Sequence, residues 1–99
     1  MNLKEMIKIR FGKDLPIDGG DGSSPENAII ITDDFYGAHE VEYITIKYIA
    51  LLNNMVLQHL GHKLIRINGK PMDVIHMLSA IDGDVSEVDF YFDITVCMK

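Results

Sequence analysis

Two hydrophobic periods divide the chain. From His39 to Leu60, Val41, Ile44, Tyr48, Leu51, Leu52, Met55 and Val56 fall on one arc at the 3.6-residue spacing, opposite Glu40, Lys47, Asn54 and Gln58. Ile46, Ala50 and Leu57 form a second shoulder that widens the apolar stripe. This pattern predicts one long helix of about 33 Å, stopped by Gly61, with Glu40 and Glu42 at its positive end and His59, His62 and Lys63 at its negative end.

Past Gly61 the period drops to two. Lys63 to Asn68 reads as a strand, Asn68-Gly69 as a hairpin turn, and Met72 to Ile81 as a second strand, although its Val74, Ile75, Met77, Leu78 spacing also suits a helix. Asp82, Gly83 and Asp84 turn the chain into a third strand. There Val88, Phe90, Phe92, Ile94, Val96 and Met98 alternate with Asp89, Tyr91, Asp93, Thr95 and Cys97.

Ahead of the long helix, Ala28 to Thr32 has the β-branched content of a buried strand. In the first eleven residues, Asn2 and Glu5 are spaced as a capping box and Leu3, Met6, Ile7 and Arg10 share a helical face. The alternation of Ile7, Ile9 and Phe11 is the competing strand signal, and helix is preferred. Residues 12–27, rich in Gly, Asp, Ser and Pro, read as a long loop, with Ser24-Pro25 placed to start a helical turn. The expected fold is therefore α+β: a strand, one long helix, and a three-strand antiparallel meander on which that helix lies.

Composition narrows the function. A chain of 99 residues supports one small core, so residues 1–99 are expected to form a single domain. Fifteen acidic against nine basic residues, the latter read as scattered, argue against a nucleic-acid binder. Lys47, Asn53, Asn54, Gln58 and His59 interrupt the most apolar stretch, which excludes a membrane span there. The single Cys97 fits a reducing cytoplasm and is expected to be a passive thiol.

Candidate chemistry is sparse. Asp82, Asp84, Ser86 and Asp93 match some calcium-loop positions, but Glu87 stands where the loop requires glycine, and the flanks read as strands. His39-Glu40 begins like a zincin motif that Tyr43 fails to complete, and His59 and His62 have no cysteine companions. No metal or other cofactor is expected. Two sets of positions remain. Asp21, Ser23 and Ser24 of the glycine loop could meet Asp73, Tyr91 or Asp93 of the sheet as a binding site; solvated acids and a tightly folded loop are the plainer explanation. Ile46, Ala50 and Leu57 are candidates for a surface covered by a protein partner.

The segments GGDGSSPENAIII (residues 19–31) and 72–99, with its YFDIT run, together resemble a group of small uncharacterised bacterial α+β domains. The resemblance covers about forty residues and makes Gly19, Gly20, Asp21, Gly22, Ser23, Ser24, Phe92 and Asp93 the characteristic positions. It brings no established activity with it, and it suggests a role such as that of a toxin's immunity partner. The expected function is that of a small acidic cytoplasmic protein-binding module, an inhibitor or immunity-type partner or a homodimer, with no nucleic-acid or membrane partner. A small enzyme or ligand-binding protein using the loop with the sheet aspartates is the alternative.

Overall fold

The computed structural model describes residues 2–33 and 37–98; Lys99, the last residue of the segments carrying the resemblance, lies outside them. Helix α1 (Leu3–Phe11) is followed by strands β1 (Ile17–Gly19) and β2 (Ile29–Ile31), helix α2 (Ala38–Leu52), and strands β3 (Val56–Ile67), β4 (Lys70–Ile81) and β5 (Asp84–Asp93). Single 3-10 turns occupy Pro25–Asn27 and Thr95–Met98. The fold is α+β, with the helix on a five-strand sheet of order β1-β2-β5-β4-β3. All neighbours run antiparallel except β2 and β5, which are parallel.

At the N-terminus the capping signal prevails over the alternation. Asn2 accepts a hydrogen bond from the Glu5 N–H at 2.9 Å, and Leu3 and Ile7 are buried. Gly12 then ends α1 in the left-handed conformation. Inside the expected loop, Ile17–Gly19 pairs with Ile29–Ile31, and Ser24 caps the 3-10 turn that Pro25 begins. The glycine run permits close backbone approach. A Cβ on Gly20 would lie 2.4 Å from the Asn27 carbonyl oxygen, which excludes any side chain there.

The long helix is shorter than its pattern. It ends at Leu52 because the Asn53 side chain donates to the Ile49 carbonyl at 2.8 Å and Asn54 turns left-handed at φ 50°. Met55, Val56 and Leu57, whose spacing mimics a continuing helix, lead into β3 instead, and His59, His62 and Lys63 lie on that strand rather than at a helix end. Gly61 stands beside the register irregularity of β3 between His59 and Gly61. Removing these strand residues rotates the buried stripe of α2. It consists of Val41, Glu42, Thr45, Ile46, Tyr48 and Ile49, whereas Ile44 and Leu51 face outward.

The meander uses Asn68-Gly69 and Asp82-Gly83, each pair at positive φ, as its two tight turns. Its last strand stops at Asp93, whose carboxylate accepts from the Thr95 N–H at 3.0 Å and the Thr95 hydroxyl at 2.6 Å. That local capping closes Thr95–Met98 into a 3-10 turn where alternation predicted strand. The core lies between the helices and one sheet face, where Ile7, Ile17, Ile29, Ile31, Ile75 and Phe92 are buried. No helix among the described residues is long and apolar enough to cross a membrane.

Candidate functional site

Strand register decides which of the expected site residues meet. Asp73 stands opposite Phe92, and Met72 stands opposite Asp93. Side chains alternate, so Asp73 shares the helix-facing side with Phe92 while Asp93 faces the other way. Asp93 is occupied by Thr95. Tyr91 is joined to the loop through its backbone N–H, which donates to the Gly22 carbonyl at 2.8 Å. Asp21 accepts from the Ser23 N–H at 3.0 Å, and hydrogen bonds from the Ser23 side chain and backbone hold its carboxyl below the ordinary aspartate range. Ser24 accepts from the Asn27 N–H. Among the described residues no hydrogen bond links Asp21, Ser23 or Ser24 to either aspartate.

The partner-surface candidates meet, but across two elements rather than on one helix face. Ile46 is 4% exposed and belongs to the core. Ala50 is half-buried on α2, and Leu57 packs against the core from β3. Together the three line a shallow cleft of about 390 Å³ between α2 and β3.

A different constellation gathers under the start of α2. His39 and Glu42, three residues apart on one helical face, are 3.1 Å from each other through His39 Nδ1 and Glu42 Oε1. Asp73 comes up from β4 beneath them. One ligand atom from each of His39, Glu42 and Asp73 lies within 4.8 Å of the other two. Leu64, paired with Asp73, and His62, paired with Ile75, share this sheet face on β3. The His39 and His62 ring centroids are 5.6 Å apart, and His59 stands 6.0 Å beyond His62 and 5.7 Å from Tyr43. His39, His62 and Asp73 line a cleft of about 570 Å³ that also reaches Ile94 and Cys97.

Glu42 is the anomaly in this arrangement. It is 0% exposed, and among the described residues its Oε2, as a carboxylate oxygen, accepts no hydrogen bond. Most buried polar atoms are satisfied, and leaving one unmatched costs about 1–3 kcal/mol. Burial, then a hydrogen bond to the Asp73 carboxyl, and last the Asp73 charge push Glu42 up to about 9. Without a cation the site therefore keeps a proton at neutral pH. The donor set of one imidazole and two carboxylates suits zinc, manganese or ferrous iron better than calcium, which takes oxygen ligands throughout. Metal–ligand bonds of about 2.1 Å place neighbouring donors in a tetrahedral zinc site about 3.4 Å apart.

Sequence reasoning passed over Glu42 by assigning it to the helix end, and over His39 and His62 by testing them against zinc motifs built within one element. The available signal was an acidic residue one place after Val41, inside the apolar arc, matched by Asp73 inside an apolar strand. Compared with known proteins, the chain matches no family model, and no curated protein sequence or solved structure is significantly similar to it. The functional reading therefore stands on the chemistry of these side chains.

Proposed function

We propose that the protein binds a divalent transition-metal ion through His39, Glu42 and Asp73, with His62 as the adjacent fourth donor. The observation carrying this reading is the fully buried Glu42 carboxyl, with one unpartnered oxygen, set against a second buried acid. Without metal the two acids share the proton that burial holds on Glu42; a +2 ion can replace that proton and take both carboxylates as ligands. Zinc is the ion of choice for a mixed imidazole and carboxylate set, and the open cleft leaves room for a water or small anion beside it. The single Cys97, at the far side of the cleft, is in keeping with a reducing cytoplasmic setting.

The test is metal uptake by the purified protein after dialysis against chelator. Zn(II) is expected to bind one per chain and to raise the melting temperature, since a ligand at a hundred times its Kd adds about 2.7 kcal/mol of stability. Asp73→Asn and Glu42→Gln are expected to lose that uptake while retaining a folded circular-dichroism spectrum. If wild type takes up none of Zn(II), Co(II) or Mn(II) stoichiometrically, or if both variants bind as wild type does, the proposal fails.

A further inference from the structure

The edge of the sheet is a second feature with functional content, argued from its exposure and charge, and it adjoins the metal cleft, which His62 and Leu64 of the same strand line. β3 is an outer strand, paired among the described residues with β4 alone. None of its twelve residues is buried. Val56, Leu60 and Leu64 are 70%, 45% and 55% exposed. Along its outer side, about half the residues of such a strand turn both N–H and C=O away from the neighbouring strand. The other edge, β1, is only three residues long and carries Asp18.

Charge is distributed very unevenly with respect to this edge. From Tyr43 to Met72 the chain contains none of its fifteen acidic residues but four of its nine basic ones, Lys47, Lys63, Arg66 and Lys70. Three of these lie on or beside the β3–β4 hairpin turn or along β3 itself, with His59 and His62. Lys63 pairs with Val74 and Arg66 with Pro71, so the two charges project from opposite faces of the strand. A second copy of β3 would bring the same positive charges to the junction, whereas an acidic strand brings charge opposite to Lys63 and Arg66.

We propose that β3 receives an extended acidic segment of a partner protein as a sixth strand of the sheet. Main-chain hydrogen bonds along the edge would supply affinity, and Lys63 and Arg66 would select acidic residues spaced three apart, while Leu60 and Leu64 offer apolar contact. This gives the protein-binding function expected from the sequence a location on the basic strand rather than on a helix shoulder or an acidic patch.

The test uses a fluorescein-labelled peptide, Thr-Val-Glu-Val-Thr-Glu-Val-Thr, titrated with the full chain and read by anisotropy. Three results are expected: saturable binding, about tenfold weaker binding to the Lys63→Glu, Arg66→Glu double variant, and loss of binding when alternate peptide nitrogens are methylated. Both substitutions lie on exposed positions, and circular dichroism verifies that the variant is folded. Lack of saturable binding overturns the proposal. So does equal affinity for the peptide with lysine in place of glutamate, equal affinity of the double variant, displacement of the peptide by an oligothymidylate of the same length, or sedimentation showing β3 already occupied by a second copy.

Discussion

Replacing Glu42 by Gln separates the metal-free from the metal-bound energetics of the cleft. The substitution preserves shape and leaves an amide oxygen to meet His39 Nδ1, while the amide N–H can donate toward Asp73. It removes a carboxyl whose ordinary value of 4.5 is raised to about 9 in the fold. The sign follows directly. Between those values the folded state holds a proton that the unfolded chain has released, so the penalty from Glu42 is absent at or below pH 4.5 and grows as pH rises toward about 9. At about 1.4 kcal/mol per pH unit, holding that proton at pH 7 disfavours the native state by roughly 3 kcal/mol. Glu42→Gln is therefore expected to be up to about 3 kcal/mol more stable than wild type at pH 7 in EDTA, with the gap closing near pH 4.5. Urea unfolding across this range measures it. Added Zn(II) should reverse the order, since only wild type can turn the buried acid into a ligand. A Glu42→Gln variant less stable than wild type at pH 7 in EDTA, or a gap that does not change with pH, would refute the reasoning.

Three further outcomes follow from other parts of the fold. Gly20→Ala forces a Cβ to 2.4 Å from the Asn27 carbonyl oxygen and should destabilise by about 2–4 kcal/mol in urea titrations, whereas Gly61→Ala, which meets open space, should change stability by less than about 1 kcal/mol. Asp93→Ala removes both bonds to Thr95 and should cost about 1–2 kcal/mol, with loss of amide-exchange protection confined at first to residues 95–98. His76 is held above the ordinary histidine range by its bond to Asp89 and, next, by Glu87. Its contribution is thus complete below about pH 6.5 and lost as pH rises through the raised value. Melting curves of His76→Gln in the Glu42→Gln background should show a flatter pH profile than the Glu42→Gln parent.

Elements whose signals are local were legible in the sequence. The Asn2–Glu5 cap, the Asn68-Gly69 turn and the alternation of Phe90 and Phe92 each depend on neighbours within a few residues, and the structure places all three as read. The end of α2 was not legible, because Met55 and Val56 satisfy a 3.6-residue spacing equally well in a strand that happens to follow, and only the paired asparagines mark the break. The cleft depended on something no linear pattern contains: the one-residue register that sends Asp73 toward the helix and Asp93 away from it. Its histidines come from α2 and β3, so a motif confined to one element could not reveal them.

The parallel pairing of β2 with β5 has a kinetic meaning as well as a geometric one. Every other ladder joins strands separated by a turn or a short loop, whereas Ile29 must find Phe92 across most of the chain. Loop-closure entropy is thereby concentrated in a single event, the docking of the N-terminal hairpin onto a meander whose own contacts are sequence-local. Until that docking, β5 is itself an open edge. Gly22, whose carbonyl accepts from Tyr91 beside the parallel pair, ties the glycine run to that long-range junction, so the run belongs to the closure of the topology and not only to the shape of a loop.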